Sequence, residues 1–414
     1  MTEGIVRSRQ PSGLRVVTES LPALRSVTIG AWVGSGARDE GPTEWGASHF
    51  LEHLLFKGTP TRSARDIAES IESVGGEMNA FTTHEQTVFH IRVPDSRLGL
   101  ALEVLADVLA APAFRADEVE SERRVILEEI GMRDDDPDDV VHEAFAAALF
   151  PDHPLGREVV GSVDSISGMD REVIADYHRS HYRPSNMVFA AAGNLTHDTV
   201  TGFLAEHLPD DPTVRPERPS GDPAPPRERI CVSRDTEQSH VVLGVRALPA
   251  LDPDRYALTV LNQCFGGGMS SRLFQEVREK RGLAYSVYSY WAGFADAGAF
   301  GIYAGTAPER LPEVLEVVEA ELERLVADGI GADELAAAKG HLTGALSMSL
   351  ETSASRMRRL GRAELLEGEI PSLDEIVQRV ERVTGDDVAR VIDRCFAGTS
   401  RTLALVGPHD EASL

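Results

Sequence analysis

Cysteine is scarce in this chain: Cys231, Cys264 and Cys395 are scattered singly along 414 residues. This spacing excludes the disulfide framework of a small secreted domain. No apolar run approaches the roughly 18 residues that a membrane-spanning helix needs. Residues 1–17 lack both the apolar core of a signal peptide and the Arg- and Ser-rich character of a transit peptide. We therefore expect a cytoplasmic protein that does not interact with membranes.

Positive charge is also in short supply. The chain has 41 Lys and Arg residues against 67 Asp and Glu, which gives a formal net charge of −26. Nucleic acids are bound largely by neutralising their phosphates with basic side chains, so a nucleic-acid partner is disfavoured. The acidic balance fits either a solubilising surface or a cavity that attracts cationic peptides.

A segment rich in Pro, Asp and Glu divides the sequence near its middle. Residues 211–228 have the composition of a linker. We predict an N-terminal domain over residues 1–210 and a C-terminal domain over residues 229–414, because 414 residues exceed the usual size of one core. The two parts resemble each other at a constant offset, as in Val27-Thr28-Ile29-Gly30 and Val241-Val242-Leu243-Gly244. Two copies of one α+β unit are predicted.

Hydrophobic periodicity predicts the secondary structure of both halves. Strands are expected at Ser26–Val33 and Thr87–Val93. Helices are expected at Ser63–Val74, Ser96–Leu109, Ala116–Met132, Arg171–His181, Asp254–Cys264, Arg272–Arg281, Arg310–Asp328 and Ala332–Leu350.

The most informative motif is His49-Phe50-Leu51-Glu52-His53. On a helix, residues four apart share a face, so both imidazoles can point at one metal ion. Glu52 can then reach a water molecule on that ion. The order H-x-x-E-H is that of a known class of zinc hydrolases. A helix with two structural histidines would be the ordinary alternative, but buried polar side chains on this apolar helix require partners, and a metal supplies one.

A catalytic zinc usually takes three protein ligands, and a carboxylate would complete the set. Glu122 and Glu129 lie two helical turns apart in the predicted helix 116–132 and so share a face. One of them can bind the metal while the other supports a histidine. Glu118 and Glu120 of the same helix fit a solvated surface better.

These residues together resemble the pitrilysin or insulinase family of zinc peptidases, in the branch that contains mitochondrial processing peptidase. In that family a glutamate ligand follows H-x-x-E-H at a characteristic distance, and Glu129 lies at that distance from His53. The segment Gly75–Thr87 matches as well, as do Arg278 and Tyr285. The resemblance implies a peptidase with one Zn²⁺ per chain, with Glu52 as general base, Glu122 as a supporting catalytic carboxylate, and the metal ligands His49, His53 and Glu129.

The resemblance also implies the fold and the substrate contacts. The fold would be α+β, with two homologous domains, each a mainly antiparallel sheet packed against helices. The C-terminal copy has Gln263, Gly266 and Gly267 near the zinc-motif positions and has lost that motif. An extended substrate would add to the sheet edge at Asn79, Ala80 and Phe81. Arg278 and Tyr285 would reach the substrate backbone and the oxyanion region.

The acidic run Asp134–Asp139 is typical of a solvated loop. In processing peptidases, acidic residues at the positions of Asp139 and Glu143 face a substrate arginine. We therefore hypothesise a preference for Arg close to the scissile bond.

The sequence thus predicts a zinc metalloendopeptidase that acts on peptides or unfolded segments inside an enclosed chamber. Relatives of this length pair two chains or two half-molecules, so a homodimer is expected. Two alternatives stay open. One is a non-catalytic core-type subunit, or the partner in a heterodimeric peptidase. The other is a metal-dependent hydrolase with a different substrate.

Overall fold

The computed structural model describes residues 4–208, 211, 213–214, 216–218, 221 and 223–410. The strands are β1 Ile5–Arg9, β2 Arg15–Ser20, β3 Ser26–Val33, β4 Glu77–Thr82, β5 Thr87–Pro94, β6 Met187–Gly193, β7 Arg229–Ser233, β8 Ser239–Arg246, β9 Ala284–Gly293, β10 Gly298–Thr306 and β11 Thr402–Gly407. The helices of the first half are α1 Ala47–Leu54, α2 Ala64–Glu72, α3 Leu98–Ala110, α4 Ala116–Asp134, α5 Pro137–Leu149, α6 Val163–Gly168, α7 Arg171–His181 and α8 His197–His207. Those of the second half are α9 Arg255–Phe265, α10 Leu311–Asp328, α11 Ala332–Ser349, α12 Ser353–Arg362, α13 Leu373–Glu381 and α14 Gly385–Cys395.

The chain divides into two compact units. The first contains a six-stranded sheet of order β1-β2-β6-β3-β5-β4, in which only the β2–β6 pair is parallel. Side chains alternate between its faces, so Val16 packs into the main helix-covered core and Val17 into a smaller core on the opposite face.

The second unit repeats this topology. Its five-stranded sheet has the order β7-β11-β8-β10-β9, with β7 and β11 parallel and the other pairs antiparallel. Val242 faces one core and its neighbours Val241 and Leu243 face the other. The predicted α+β fold with two related, mainly antiparallel sheets is confirmed.

The two units do not follow the linear division at residues 211–228. The first unit comprises residues within 1–131, 157–220 and 349–372, and the second takes 132–156, 221–348 and 373–414. Thus α5, from the first half of the sequence, covers one face of the second sheet, and α12, from the second half, covers one face of the first. The sequence prediction of two continuous domains therefore needs correction at these two helices. Burial explains the exchange, since each helix places its apolar residues on a sheet face that would otherwise be exposed.

The acidic run Asp134–Asp139 includes the first residues of α5. The side chain of Asp136 accepts a hydrogen bond from the backbone N–H of Asp138, and Pro137 occupies the first helical position. Both residues are favoured there, because the cap satisfies an unpaired N–H and proline has none to lose.

Arg272–Arg281, predicted as an α-helix, is instead π-helical over Phe274–Glu279. In the described part of the chain, no helix is both long and apolar enough to cross a bilayer.

Candidate metal centre

The motif histidines lie on α1, a short helix held rigidly at its start. Gly46, with φ of 96°, turns the chain into the helix. The buried carboxyl group of Glu40 accepts hydrogen bonds from the backbone N–H groups of Gly46 and Ser48, each at 2.7 Å. Burial raises the pKa of Glu40 to about 8, although these two hydrogen bonds act against the rise. The Ser48 hydroxyl lies 3.0 Å from the phenol oxygen of the buried Tyr177. These contacts fix the position of α1.

His49, His53 and Glu129 converge on one point. Their ligand atoms lie within 4.8 Å of one another. Glu129 Oε2 is 3.6 Å from His49 Nε2 and 3.5 Å from His53 Nε2. Zinc–ligand bonds of about 2.1 Å in a tetrahedral site place ligand atoms roughly 3.4 Å apart. The separations thus suit a shared cation better than direct hydrogen bonds, and the donor set fits zinc.

Glu122 contacts one member of this group, His53. Its side chain is 5% exposed, and its Oε2 lies 3.1 Å from His53 Nδ1. Its Oε1 lies 2.8 Å from Lys57 Nζ. A histidine whose Nδ1 donates to a carboxylate keeps Nε2 available for a metal. The structure therefore groups Glu129 with the two histidines and places Glu122 on the Nδ1 side of His53.

Glu52 lies on α1 between the two histidines and is half-buried. Burial raises the pKa of its carboxyl group, while hydrogen bonding to Thr82 and the neighbouring His53 act in the opposite direction. Thr82 ends β4, so the end of the sheet-edge strand lies beside Glu52. A carboxylate beside the cation position can accept a proton from a water molecule there.

The edge strand β4 carries the three predicted substrate-binding residues. Ala80 packs with the core on the α1 side of the sheet, while Phe81 packs with the opposite core. The Phe81 ring meets Trp32 edge-on at 6.0 Å. Asn79 is exposed, and its side chain accepts the backbone N–H of Ala80. Because β4 is the last strand of its sheet, its outer backbone groups can pair with an added strand.

Arg278 and Tyr285 contact each other in the second unit. The Arg278 guanidinium lies 4.3 Å from the centre of the Tyr285 ring and 4.8 Å from that of Phe274. Its Nη1 donates to the Tyr285 carbonyl at 2.9 Å. Stacking orients the guanidinium, while the Tyr285 residue is 77% exposed.

Asp139 and Glu143 both lie on α5, but their surroundings differ. Asp139 is exposed. Glu143 forms an ion pair with Arg133. The charge of Glu143 is therefore already balanced within the protein.

Comparison with known families settles the ancestry of the chain. Residues 15–163 match the family model described as insulinase (peptidase family M16), and residues 168–342 match the model described as peptidase M16 inactive domain. The chain belongs to the insulinase family, peptidase family M16. The match described as inactive covers much of the second half, which lacks the zinc motif, and the insulinase match contains His49, His53 and Glu129.

Relatives in this family resemble the chain over nearly its full length. A protein named uncharacterized zinc protease from Mycobacterium tuberculosis is 48% identical over 97% of this chain and 93% of its own. The uncharacterized zinc protease YmxG of Bacillus subtilis is 38% identical over 96% of this chain and 97% of its own. The crystal structure of a Helicobacter pylori protease has a TM-score of 0.91 at 24% identity, over 98% of this chain and 99% of its own. At that identity the structural match supports the M16 fold alone.

Three residues near the site were missed by sequence reasoning: Glu40, Lys57 and Thr82. Lys57 lies four residues after His53, and this i, i+4 spacing could have placed Lys57 near the site. Thr82 was part of the matched Gly75–Thr87 segment but was given no role. Glu40 precedes α1 in an irregular segment, and its local pattern gives no signal.

Proposed function

We propose that this M16 protein is a zinc-dependent endopeptidase that hydrolyses peptides or unfolded protein segments. The observation that carries the proposal is the convergence of His49, His53 and Glu129 on one point, with Glu52 beside it. The names of the relatives, zinc proteases, agree with it.

His49, His53 and Glu129 would hold a zinc ion, which would supply a Lewis acid for the activation of water and the polarisation of a carbonyl group. Glu52 accepts the proton of the attacking water and returns it to the leaving amine. Glu122 keeps the His53 ring in place through its contact with Nδ1. The Glu129 side chain is 41% exposed, which leaves a solvent-accessible approach for substrate.

A peptide substrate is favoured by two features besides the metal ligands. The β4 edge can bind an extended backbone by strand addition. Arg278 and Tyr285 supply donors of the kind that bind a peptide carbonyl or an oxyanion. A hydrolase of some other substrate would have no evident use for the β4 edge. A non-catalytic scaffold would not need the complete set of His49, Glu52, His53 and Glu129.

Metal analysis tests the proposal directly. The purified protein is expected to contain about one zinc per chain, as three-ligand catalytic sites do. A chelator should abolish cleavage of an unfolded protein such as reduced casein, and added zinc should restore it. Elemental analysis and a gel-based cleavage assay measure the two quantities. A folded protein without zinc, or cleavage that is indifferent to chelation, would contradict the proposal.

We further propose that the enzyme prefers Arg near the scissile bond, with Asp139 as the residue that favours it. Asp139→Asn should lower the ratio of kcat/KM between matched Arg and Ala peptides by about fivefold, the upper range for an exposed charge pair. Asp135→Asn, an exposed carboxylate of the same acidic run, is the control and should leave the ratio unchanged. Equal cleavage of the Arg and Ala peptides by the wild type would refute the preference.

The homodimer expected from the resemblance stays a prediction. The particle mass in solution would decide it, since a dimer has twice the 44.9 kDa of one chain.

A further inference from the structure

Glu122 is unusual among the carboxylates of the centre because it is almost entirely buried. Only 5% of its side chain is exposed, against 41% for Glu129. Removing a carboxylate from water costs free energy unless its charge is balanced and its oxygens are hydrogen-bonded. A neutral imidazole at His53 can supply a hydrogen bond but no balancing charge.

The balancing charge comes from Lys57. Its ammonium lies 2.8 Å from Glu122 Oε1, while Glu122 Oε2 faces His53 Nδ1 at 3.1 Å. Each carboxylate oxygen therefore has a different partner. Both partners come from one short segment, because Lys57 ends the 3-10 turn that directly follows α1.

We propose that Lys57 is a positioning residue for the metal centre. Its ammonium holds the charged Glu122 side chain in place, and Glu122 in turn fixes the His53 ring with Nε2 towards His49 and Glu129. The inference rests on the proposed function in one respect, namely that the centre binds zinc. Without Lys57, three carboxylates, Glu52, Glu122 and Glu129, would surround two histidines with the buried charge of Glu122 unbalanced. Glu122 would then move towards solvent or lose its contact with His53.

The competing explanation is that Lys57 forms an ordinary surface ion pair. Its side chain is 35% exposed, and exposed pairs contribute little to stability. An ordinary ion pair would affect folding slightly and zinc affinity not at all. Zinc affinity is therefore the measurement that separates the two roles.

The experiment measures zinc affinity by competition with a chromogenic chelator, on full-length protein first stripped of metal. Lys57→Met should weaken zinc binding about 10- to 100-fold, the usual loss when a partner of a liganding histidine is removed. Lys57→Arg keeps the charge and should stay within about threefold of the wild type. Lys339→Met is the matched control, since the Lys339 ammonium donates to the Glu381 carbonyl in the second unit. It should leave the affinity unchanged.

A double-mutant cycle shows whether Lys57 acts through Glu122. In a Glu122→Gln background no buried charge needs balancing, so adding Lys57→Met should change zinc affinity by less than about twofold. An equal loss in both backgrounds would overturn the proposal, as would a Lys57→Met affinity equal to that of the wild type. If either of these results were obtained but the wild type bound zinc tightly, the proposed function would still hold. A wild type that binds no zinc would overturn both.

Discussion

Glu52→Gln is expected to lower kcat for peptide hydrolysis by about a thousandfold, within the range for a general base. Glutamine has nearly the same shape but cannot accept the proton of the attacking water. Zinc content should stay that of the wild type, because His49, His53 and Glu129 are untouched. Cleavage of a fluorogenic peptide, together with elemental analysis of the same sample, measures both quantities.

Glu128→Gln is the matched control for this substitution. Glu128 is an exposed carboxylate beside Glu129 on α4, and its loss should leave kcat unchanged. Full activity in Glu52→Gln would exclude Glu52 as the base. Loss of zinc in that variant would show instead that Glu52 helps to bind the metal.

Gly361→Ala is expected to destabilise the first unit by about 1–3 kcal/mol, as overpacking of a dense core does. A Cβ at residue 361 of α12 would overlap the indole ring of Trp32, which is 2% exposed. The ring cannot move aside easily, because it also packs against Phe81 and donates to Met357 Sδ. Hydrogen exchange of the β2 and β3 amides, followed by mass spectrometry, reports the loss of stability in this unit.

Gly340→Ala makes the same chemical change where there is room for it. Gly340 lies within α11, and an added Cβ there would meet nothing within 4 Å. Alanine is the better helix former, so this variant should gain about 0.5–1 kcal/mol. Equal protection of the β2 and β3 amides in Gly361→Ala and the wild type would show that α12 does not pack on Trp32 as described.

Local patterns predicted that His49 and His53 lie together, but not which glutamate lies with them. The i, i+4 spacing of His49 and His53 follows from helix geometry alone. The resemblance then selected Glu129 from several glutamates on α4, a choice that spacing had left open between Glu129 and Glu122. Strands with alternating or apolar runs, such as β3 and β5, were placed within a residue of their observed bounds.

Features that depend on distant contacts could not be predicted in this way. Nothing near α12 in the sequence indicates that it packs on Trp32 and Val17, which lie close to the opposite end of the chain. Glu40 belongs to no periodic pattern, and its role depends on how the chain turns at Gly46. The π-helical turn at Phe274–Glu279 has the composition of an α-helix, and only the structure distinguishes the two.

The exchange of α5 and α12 affects where the polypeptide chain can be divided into fragments. The two helices begin at Pro137 and Ser353, an interval close to the one that separates Val27 from Val241, so they are equivalent pieces of the two copies. A break in the chain between residues 211 and 228 would leave each fragment carrying a helix that completes the other fragment's sheet. Either fragment made alone would lack the helix that covers one face of its sheet, and that apolar face would be exposed.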